Sequence, residues 1–594
     1  MPYAPSETWD LDAILPGGPA GDAFREAADA LQRDLDALVA RADALPAHPD
    51  PAAFAQLLLD FEELSGRLEQ VGTFAGCHAA ADATGKAAIR AESRVTELGN
   101  RYSRALVVPN ARIAFGDAAD FDALLARPEI DHMRGMLLEK RRLARFRLPE
   151  AEEALATELA RDGLLAWGEL YDVESGALKI PFDRGHGEEL LSPGQLAPLV
   201  SHDDKATRDR AHAAYVAGWR TLADRCAKAL THITGTRMVL NERRKLDELE
   251  EPLAGAKIER RTLDAMMEAA RRAQPLLHRY LALKAKAMGQ PKLTWADTVA
   301  GLGNSTGKVP YGEAQSFIVA QFGEFSPRFA DFARRALAGR WVEVEDRAGK
   351  RGGGFCADVP LSKESRIFMT WGGNARSVST LAHELGHAFH NEVLHAVPLS
   401  QRRVPMTLAE TASTFAEALV REASLARTTD ADERLRLLDG SMGDALAFLA
   451  NVPARFELER AFYRLRAAGP LEAEALEQET VAIFSRWYGP AVEAVDPMFW
   501  ASKLHFYIAG LSFYNFPYTF GYLFANLVYE TFRPQGAAGL AGYERLLRRT
   551  GDEWAEPIAR DELGVDLGEP DTWMRAIRPV ERDFAALQTM IEGS

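Results

Sequence analysis

Cysteine is scarce in this sequence: its 594 residues include three, Cys77, Cys226 and Cys356. Because they are odd in number and far apart, they can build neither a disulfide framework nor a paired-cysteine metal site. We interpret them as small buried hydrophobic side chains. The N-terminal sequence also lacks the basic and apolar stretches of a signal peptide. Both observations lead us to expect a protein of the reducing cytoplasm.

An excess of positive charge is also missing. Lysine and arginine total 70 against 86 aspartates and glutamates, which gives a formal net charge of −16. A surface this acidic repels phosphate backbones, so we exclude general nucleic-acid binding. Hydrophobic residues make up 47% and charged residues 26% of the chain, the balance of a globular protein with a large core. This length predicts several lobes or one elongated domain.

Between residues 506 and 529 the sequence has no charged side chain. The stretch is long enough to span a bilayer as a helix. However, it contains Ser512, Asn515, Pro517 and five tyrosines, and no cluster of lysine and arginine flanks it. These features favour a buried or cleft-lining helix over a membrane span, and we expect no membrane partner.

Apolar residues recur at helical spacing through most of the chain, beginning with residues 21–110. Two stretches break this pattern. Residues 171–195 are typical of one or two short strands with loops, and residues 341–375 alternate apolar and polar side chains around glycines. The sequence therefore predicts a mainly α fold with a small β patch. We place a boundary near residue 190, between an N-terminal helical lobe (1–190) and a second region (191–594).

The second region contains a metal-binding motif, HELGH at residues 383–387. On a helix, His383 and His387 lie one turn apart on the same face, so their imidazoles can bind one zinc ion. Glu384 borders that metal position and can accept a proton from water. The surrounding sequence suits a helix, since Asn374 can cap its start and apolar residues line its other face.

A third ligand must come from elsewhere. The position six residues after the second histidine is Val393, which excludes the three-histidine pattern. We interpret His390 as a packing residue or a neighbour of the ligands, and we expect His395 at the surface.

Prolines at 398 and 405 predict a chain reversal into a helix with the sequence TLAETASTFAEALVREASLA. In this helix Glu410 is the favoured ligand. Glu417 is the alternative ligand, and a better candidate for orienting a ligand imidazole.

Several segments of the sequence resemble one family. HELGHAFH followed by LAETASTFAE, the C-terminal HFYIAGLSFYNFPYTFGYLFANLVYE, the N-terminal ETWDLDAILPGG and the RGGGFC turn are similar to the oligoendopeptidase F branch of the thimet oligopeptidase family of zinc metallopeptidases. The resemblance implies that His383, His387 and Glu410 bind one Zn2+ ion and that Glu384 is the general base. It also implies a two-lobed helical, zincin-like fold with a deep substrate channel, a zinc peptidase catalytic region at 191–594, and hydrolysis of short unstructured peptides by zinc-activated water attack.

The charge-free stretch gains a second interpretation from this resemblance. Tyr514, Tyr518 and Tyr522 are spaced i, i+4, i+8, on one helical face, and His505 precedes them. Phenol and imidazole donors in a dry environment can stabilise the oxyanion of peptide hydrolysis, although aromatic residues at this spacing are more often core. Related family members place a histidine and tyrosines in such a segment, which implies catalytic roles for His505, Tyr514 and Tyr522.

Two further points stay open in the sequence. The strand RIFMTWGG can bind a substrate backbone by strand addition, with Gly372 and Gly373 permitting close approach. An ordinary tight turn explains these glycines equally well.

The favoured function is a zinc endopeptidase acting on oligopeptides. The alternatives are a dipeptide-releasing carboxypeptidase of the same family, a membrane-embedded zinc protease and a catalytically silent scaffold, against which the intact Glu384 argues.

Overall fold

The computed structural model describes residues 7–303 and 307–593; residues 1–6, the start of the N-terminal sequence without a signal-peptide pattern, lie outside it. The described chain is mainly helical, so the predicted fold class is confirmed. Numbered along the chain, its α-helices are α1 (Asp22–Asp43), α2 (Pro51–Ala81), α3 (Lys86–Ala105), α4 (Val107–Phe115), α5 (Ala118–Leu125), α6 (Arg134–Leu143), α7 (Glu150–Ala160), α8 (Ala166–Ala177), α9 (Pro193–Val200), α10 (Lys205–Arg220), α11 (Ala223–Arg244), α12 (Glu250–Gly255), α13 (Arg260–Ala287), α14 (Tyr311–Phe325), α15 (Pro327–Ala338), α16 (Ala375–Leu394), α17 (Met406–Ala409), α18 (Thr411–Arg427), α19 (Ala431–Leu446), α20 (Val452–Ala468), α21 (Ala473–Tyr488), α22 (Phe499–Ser502), α23 (Phe516–Phe532), α24 (Leu540–Arg549), α25 (Ala555–Ile558) and α26 (Pro570–Glu592).

Short strands lie in both stretches where the sequence predicts them. An antiparallel hairpin pairs Ile180 with Leu191. A second, three-stranded sheet has the order β3-β5-β4, with β3 parallel and β4 antiparallel to the central strand. The strands are β1 (Ile180–Asp183), β2 (Glu188–Leu191), β3 (Val342–Glu343), β4 (Phe355–Val359) and β5 (Glu364–Phe368).

The chain divides into two compact units, each built from three segments. The first comprises the chain up to Arg145, Gly307–Ala426 and Ala525–Gly564. The second comprises Phe146–Thr306, Arg427–Phe524 and Val565–Ser594. The division at residue 190 into an N-terminal helical lobe and a catalytic region stays a prediction.

The core of the first unit begins on α1, α2 and α3. In α1 the buried residues Phe24, Leu31, Leu35 and Leu38 recur at i, i+7, i+11 and i+14, which places them on one face of the helix. They belong to a hydrophobic cluster that includes aromatic residues of α2 and continues to Phe368 in β5. The small sheet is thereby fixed to the N-terminal helices, and a short turn connects β5 to α16.

The second unit packs long helices around α26. The buried residues of α26 follow the same spacing as those of α1, with Trp573, Ile577, Val580, Phe584 and Leu587 on one face. Helices α13 and α19 pack against α26. This packing removes apolar surface from water, and each Å² removed stabilises the fold by roughly 25 cal/mol.

The charge-free stretch folds differently from the continuous helix that the sequence predicts. Within it, a 3-10 turn at Leu504–Tyr507 is followed by an irregular segment, and α23 begins only at Phe516. Among the residues the structure describes, no helix is both long and apolar enough to cross a membrane.

Candidate metal centre

Helix α16 presents the two histidines of the motif. Its N-cap is Asn374, whose side chain accepts a hydrogen bond from the backbone N–H of Ser377, as the sequence predicts. The apolar face of α16 is buried, which fixes the rotation of the helix. As a result His383 and His387 share one half-buried face, and their ring centroids lie 4.8 Å apart.

Glu410 lies at a break between two helices rather than within one. Helix α17 ends at Ala409 and α18 begins at Thr411, with Glu410 at φ −83° and ψ 3° between them. The predicted single helix is therefore wrong at this point. The predicted apolar stripe is correct, because Leu408, Ala412 and Phe415 are fully buried. The stripe packs into the core and leaves the Glu410 side chain on the side of the histidines.

The three predicted ligands converge. The Oε2 atom of Glu410 lies 3.3 Å from Nε2 of His383 and 3.4 Å from Nε2 of His387. The three donor atoms all lie within 4.8 Å of one another, and they form the candidate metal group found in the described part of the chain. Two imidazole nitrogens and one carboxylate oxygen are a donor set typical of catalytic zinc, so these side chains fit that ion.

Hydroxyl and carboxylate groups hold two of these ligands in place. Glu417 Oε2 lies 3.2 Å from Nδ1 of His383, and Ser379 Oγ donates to Glu417 Oε1 at 2.6 Å. Ser413 Oγ donates to Glu410 Oε2 at 2.8 Å. With its Nδ1 facing a carboxylate, His383 keeps Nε2 for a metal. Neither serine contact was predicted from the sequence, although Ser413 lies on the same polar stripe as the two glutamates.

The electrostatics of the group favour positive charge. Burial alone would lower the pKa of His383, but its hydrogen bonds with Glu410 and Glu417 outweigh that effect and raise the pKa to about 10. Burial opposes ionisation of Glu410 as well, yet its hydrogen bonds with the two histidines hold its pKa well below the usual range. The two carboxylates thus favour the protonated, positively charged form of His383. A metal cation that binds here would replace this proton and supply the positive charge instead.

Glu384 lies beside the ligands in a different environment. It is 6% exposed, and its Oε2 atom is buried with no hydrogen-bond partner among the described residues. Burial raises the pKa of this carboxyl, and the two neighbouring histidines only partly oppose it. A Cβ atom on Gly354 would lie 3.4 Å from Glu384 Oε1, so the glycine of the RGGGFC turn packs directly against the carboxylate. A buried carboxylate with a free lone pair is suited to accept a proton.

Gly386 allows α16 and α18 to pack closely. A Cβ atom at this position would lie 2.5 Å from the carbonyl oxygen of Ala412 and 2.6 Å from Cα of Ser413. Such distances are not found for real Cβ atoms, so the glycine is needed for this approach. The close packing is what brings Glu410 and Glu417 to His383.

Replacing Gly386 by Ala should therefore lower metal affinity by about 10- to 100-fold, the range found when groups that orient metal ligands are removed. The added methyl group forces α18 away from α16, and overpacking of this kind also costs about 1–3 kcal/mol of folding free energy. Competition with a chelator measures the affinity. Gly76→Ala in α2, where a Cβ atom meets nothing within 4 Å, is the matched control. Unchanged affinity in Gly386→Ala would show that the close approach does not set the ligand geometry.

The two other histidines near the motif are both buried. His390 is 3% exposed and its Nε2 bonds with Thr550 Oγ1 at 2.8 Å, so its interpretation as a packing residue agrees with the structure. His395 is 8% exposed and its Nε2 bonds with Asp358 Oδ1 at 2.7 Å. The expectation of a surface position for His395 is wrong, because a carboxylate of β4 supplies a buried partner for its imidazole.

Comparison with known proteins identifies the family to which the chain belongs. The model of peptidase family M3 matches residues 199–578, and the model described as oligopeptidase F matches residues 116–179. The chain belongs to peptidase family M3. The predicted family and enzyme class are confirmed: the chain is a metallo-oligopeptidase related to oligoendopeptidase F.

Several relatives support this assignment over most of the chain. The oligoendopeptidase F homolog of Lactococcus lactis subsp. lactis is 25% identical over 447 residues, covering 72% of this chain and 73% of that protein. The group B oligopeptidase PepB of Streptococcus agalactiae is 24% identical over 560 residues, covering 90% of each.

Solved structures share the fold of this family M3 member. The putative peptidase from Chlamydophila abortus has a TM-score of 0.84 and 19% identity, with 99% of each chain covered. Oligoendopeptidase-F from Enterococcus faecium has a TM-score of 0.70 and 18% identity, with 96% of this chain and 99% of that chain covered.

Gly372 and Gly373 of this M3 peptidase form a turn that leads into α16. The N–H of Gly372 donates to Ser377 Oγ at 3.0 Å, and the carbonyl of Gly373 accepts from Val309 N–H at 2.7 Å. Gly373 has a φ of +67°, which glycine adopts without strain. Within β5 itself both edges are paired, with β3 on one side and β4 on the other; strand addition along the rest of RIFMTWGG stays a prediction. Substrate binding by the two glycines themselves stays a prediction.

The tyrosine segment lies in the second unit. Tyr514 precedes α23, so the predicted single helical face is correct only for Tyr518 and Tyr522. The rings of His505 and Tyr514 lie 4.8 Å apart, and Tyr518 Oη donates to Tyr514 Oη at 3.1 Å. Tyr522 stacks on Phe448 at 4.9 Å. The three side chains with predicted catalytic roles, His505, Tyr514 and Tyr522, are partly exposed, as is Tyr518, so none of them is a closed core residue.

Proposed function

We propose that this M3 peptidase is a zinc-dependent endopeptidase that cuts short, unstructured peptides, with Glu384 as the general base. The observation that carries the proposal is the convergence of His383, His387 and Glu410 within 4.8 Å, next to a buried carboxylate without a hydrogen-bond partner in the described chain. The names of the relatives, which are oligopeptidases, support oligopeptides as substrates. A location in the cytoplasm stays a prediction.

His383, His387 and Glu410 would hold one zinc ion. When bound, zinc polarises a peptide carbonyl and lowers the pKa of water. Glu417 orients the His383 ring through Nδ1, and Ser413 orients the Glu410 carboxylate. The protein thus fixes the positions of the donors before any substrate arrives, which is how a metal site gains affinity and rate.

Glu384 moves the proton in this proposal. Its carboxylate accepts a proton from the attacking water and passes it to the nitrogen of the leaving amine. Burial keeps the carboxylate dry and raises its pKa, which makes it a stronger base than an exposed glutamate. The Oε2 atom, without a hydrogen-bond partner in the described chain, keeps a lone pair for the proton of the attacking water.

His505, Tyr514 and Tyr522 are proposed to assist the reaction through hydrogen bonds to the oxyanion or to the peptide backbone. The support is the resemblance of the C-terminal segment to the family and the partial exposure of these side chains. Burial lowers the pKa of His505 to about 4, so its imidazole is neutral at physiological pH. Preorganised donors of this type contribute about 10²–10³ in turnover.

A peptide blocked at both ends should be cut internally by the zinc-loaded protein, and a chelator should abolish the cleavage until zinc is restored. Internal cleavage of a blocked peptide distinguishes an endopeptidase from a dipeptide-releasing carboxypeptidase, which needs a free C-terminus. A compact, stable protein serves as the second substrate and should be spared. Cleavage that survives complete removal of metal, or release of dipeptides from unblocked peptides alone, would overturn the proposal.

A further inference from the structure

The segment Ile508–Asn515 has no regular secondary structure, yet side chains from two helices of the second unit bind its backbone. It joins the 3-10 turn that carries His505 to α23, and it contains Tyr514. Arg237 on α11 donates to the carbonyls of Ile508 at 2.9 Å and Ala509 at 3.0 Å, and also to that of Leu511. One guanidinium therefore fixes the first half of the segment.

Glu459 on α20 fixes the second half. Its Oε1 atom accepts a hydrogen bond from the backbone N–H of Phe513 at 2.6 Å. Phe513 has a φ of +53°, a left-handed conformation that is rare for a bulky side chain. Its ring packs on Tyr463 at 5.4 Å and Phe456 at 5.6 Å, both also on α20. The helix thus holds Phe513 by its backbone and by its ring, immediately before Tyr514.

Arg455, one turn before Glu459 on α20, acts on the histidine. It donates to Oδ1 of Asn515 at 3.3 Å, and the same oxygen lies 2.7 Å from Nδ1 of His505. Because a guanidinium only donates, the atom facing it is the amide oxygen. His505 therefore carries its hydrogen on Nδ1, and the hydrogen-bond pattern assigns Nε2 as an acceptor.

This arrangement leaves buried polar atoms unsatisfied. Glu459 is 4% exposed and Asn515 is 1% exposed, and neither Glu459 Oε2 nor Asn515 Nδ2 has a hydrogen-bond partner in the described parts of the chain. Burial also raises the pKa of Glu459 to about 7. Unsatisfied buried groups destabilise a fold, and local rules are broken in this way mainly where function requires it.

We propose that Glu459 and Arg455 are positioning residues that hold Tyr514 and the acceptor form of His505 in place for peptide hydrolysis. The inference rests on the proposed function, in which Tyr514 and His505 act on the substrate. Glu459 and Arg455 act through the backbone of Phe513 and the amide of Asn515, without touching the reacting atoms. His505 Nε2 then accepts a hydrogen bond from a peptide N–H, while Tyr514 supplies a donor.

Glu459→Leu and Glu459→Gln separate positioning from stability. Leucine removes the acceptor for Phe513 N–H but suits the surrounding rings of Phe456 and Tyr463, so the variant should fold. Glutamine keeps an oxygen acceptor. We expect kcat to fall by about 10- to 100-fold in the leucine variant, as for small displacements of catalytic groups, with KM and zinc content little changed. The glutamine variant should retain most of the wild-type kcat. Equal losses in both variants, or full activity in the leucine variant, would overturn the proposal.

A double variant tests whether Glu459 acts through Tyr514. Once Tyr514→Phe has removed the hydroxyl, adding Glu459→Leu should cause little further loss, because residues that act as a unit are not additive. Losses that multiply would overturn the proposal. Glu457→Leu on the same helix, whose carboxylate pairs with Arg486, is the matched control and should leave kcat unchanged.

Amide hydrogen exchange tests the role of Glu459 independently of whether the chain cuts peptides. Amide exchange in residues 508–515 should be faster in Glu459→Leu than in the wild type, Glu459→Gln or Glu457→Leu. Unchanged exchange would overturn the proposal even if the chain cuts peptides. A wild-type chain that cuts no peptide would overturn the proposed function, and with it any catalytic purpose of the contacts, while the exchange data would still report whether the contacts form.

Discussion

Glu384→Gln should keep zinc bound but lower kcat by about 10²–10⁴-fold, because an amide cannot accept the proton of the attacking water. The substitution preserves the size of the side chain, and Glu384 is not among the three converging ligands. It also removes a buried carboxylate whose Oε2 atom has no partner in the described chain, so the fold should not suffer. Zinc content and kcat are measured on the same preparation.

Glu392→Gln is the control for this experiment. Glu392 lies on the same helix, and its carboxylate pairs with Arg335. This variant should keep both its zinc and its rate. A Glu384→Gln variant that retains more than about a tenth of the wild-type rate would show that another group takes the proton.

Glu410→Ala should weaken zinc binding more than Glu417→Ala does. Removing Glu410 deletes one of three donor atoms, whereas removing Glu417 deletes only the group that orients His383. Loss of such an orienting group lowers metal affinity by about 10- to 100-fold, and we expect the loss for Glu410 to exceed this range. Titration of each variant against a competing chelator gives the order.

Glu422→Ala provides the comparison on the same helix. Its carboxylate is exposed and interacts with Tyr529 and Arg533, so its removal should not change zinc affinity. If Glu417→Ala proves more harmful than Glu410→Ala, the assignment of the third ligand is wrong, and the alternative weighed from the sequence becomes correct.

The ligand set could be predicted because it depends on local spacing. His383 and His387 are four residues apart on one helix, and the helix that follows a proline-marked reversal brings Glu410 back to them. The break at Glu410 could not be predicted, because the apolar stripe of Leu408, Ala412 and Phe415 fits a single continuous helix. The close approach at Gly386 depends on the carbonyl of Ala412, a contact between helices that leaves little trace in sequence spacing.

Features that depend on which segments pair across the fold could not be predicted from spacing. The strand order could not be read from residues 341–375, since the central place of β5 depends on its pairing with both β3 and β4. The buried position of His395 depends on Asp358, which lies in β4. One missed signal was available: Pro517 is the second residue of α23, and proline is favoured in the first turn of a helix. This proline favours a helix that begins at about Phe516, after Tyr514.

The packing of α16 on α18 has a consequence for how the site forms during folding. All three candidate ligands lie on a short, consecutive stretch of chain, so bringing them together closes a small loop and costs little conformational entropy. Contacts between segments close in the sequence also form faster than contacts between distant ones. The donor set therefore depends on neighbouring segments of the chain, whereas packing of the β3–β5–β4 sheet against the N-terminal helices needs contacts with segments far away in the sequence. A metal ion held by these three side chains would therefore stabilise the contact between α16 and α18 directly.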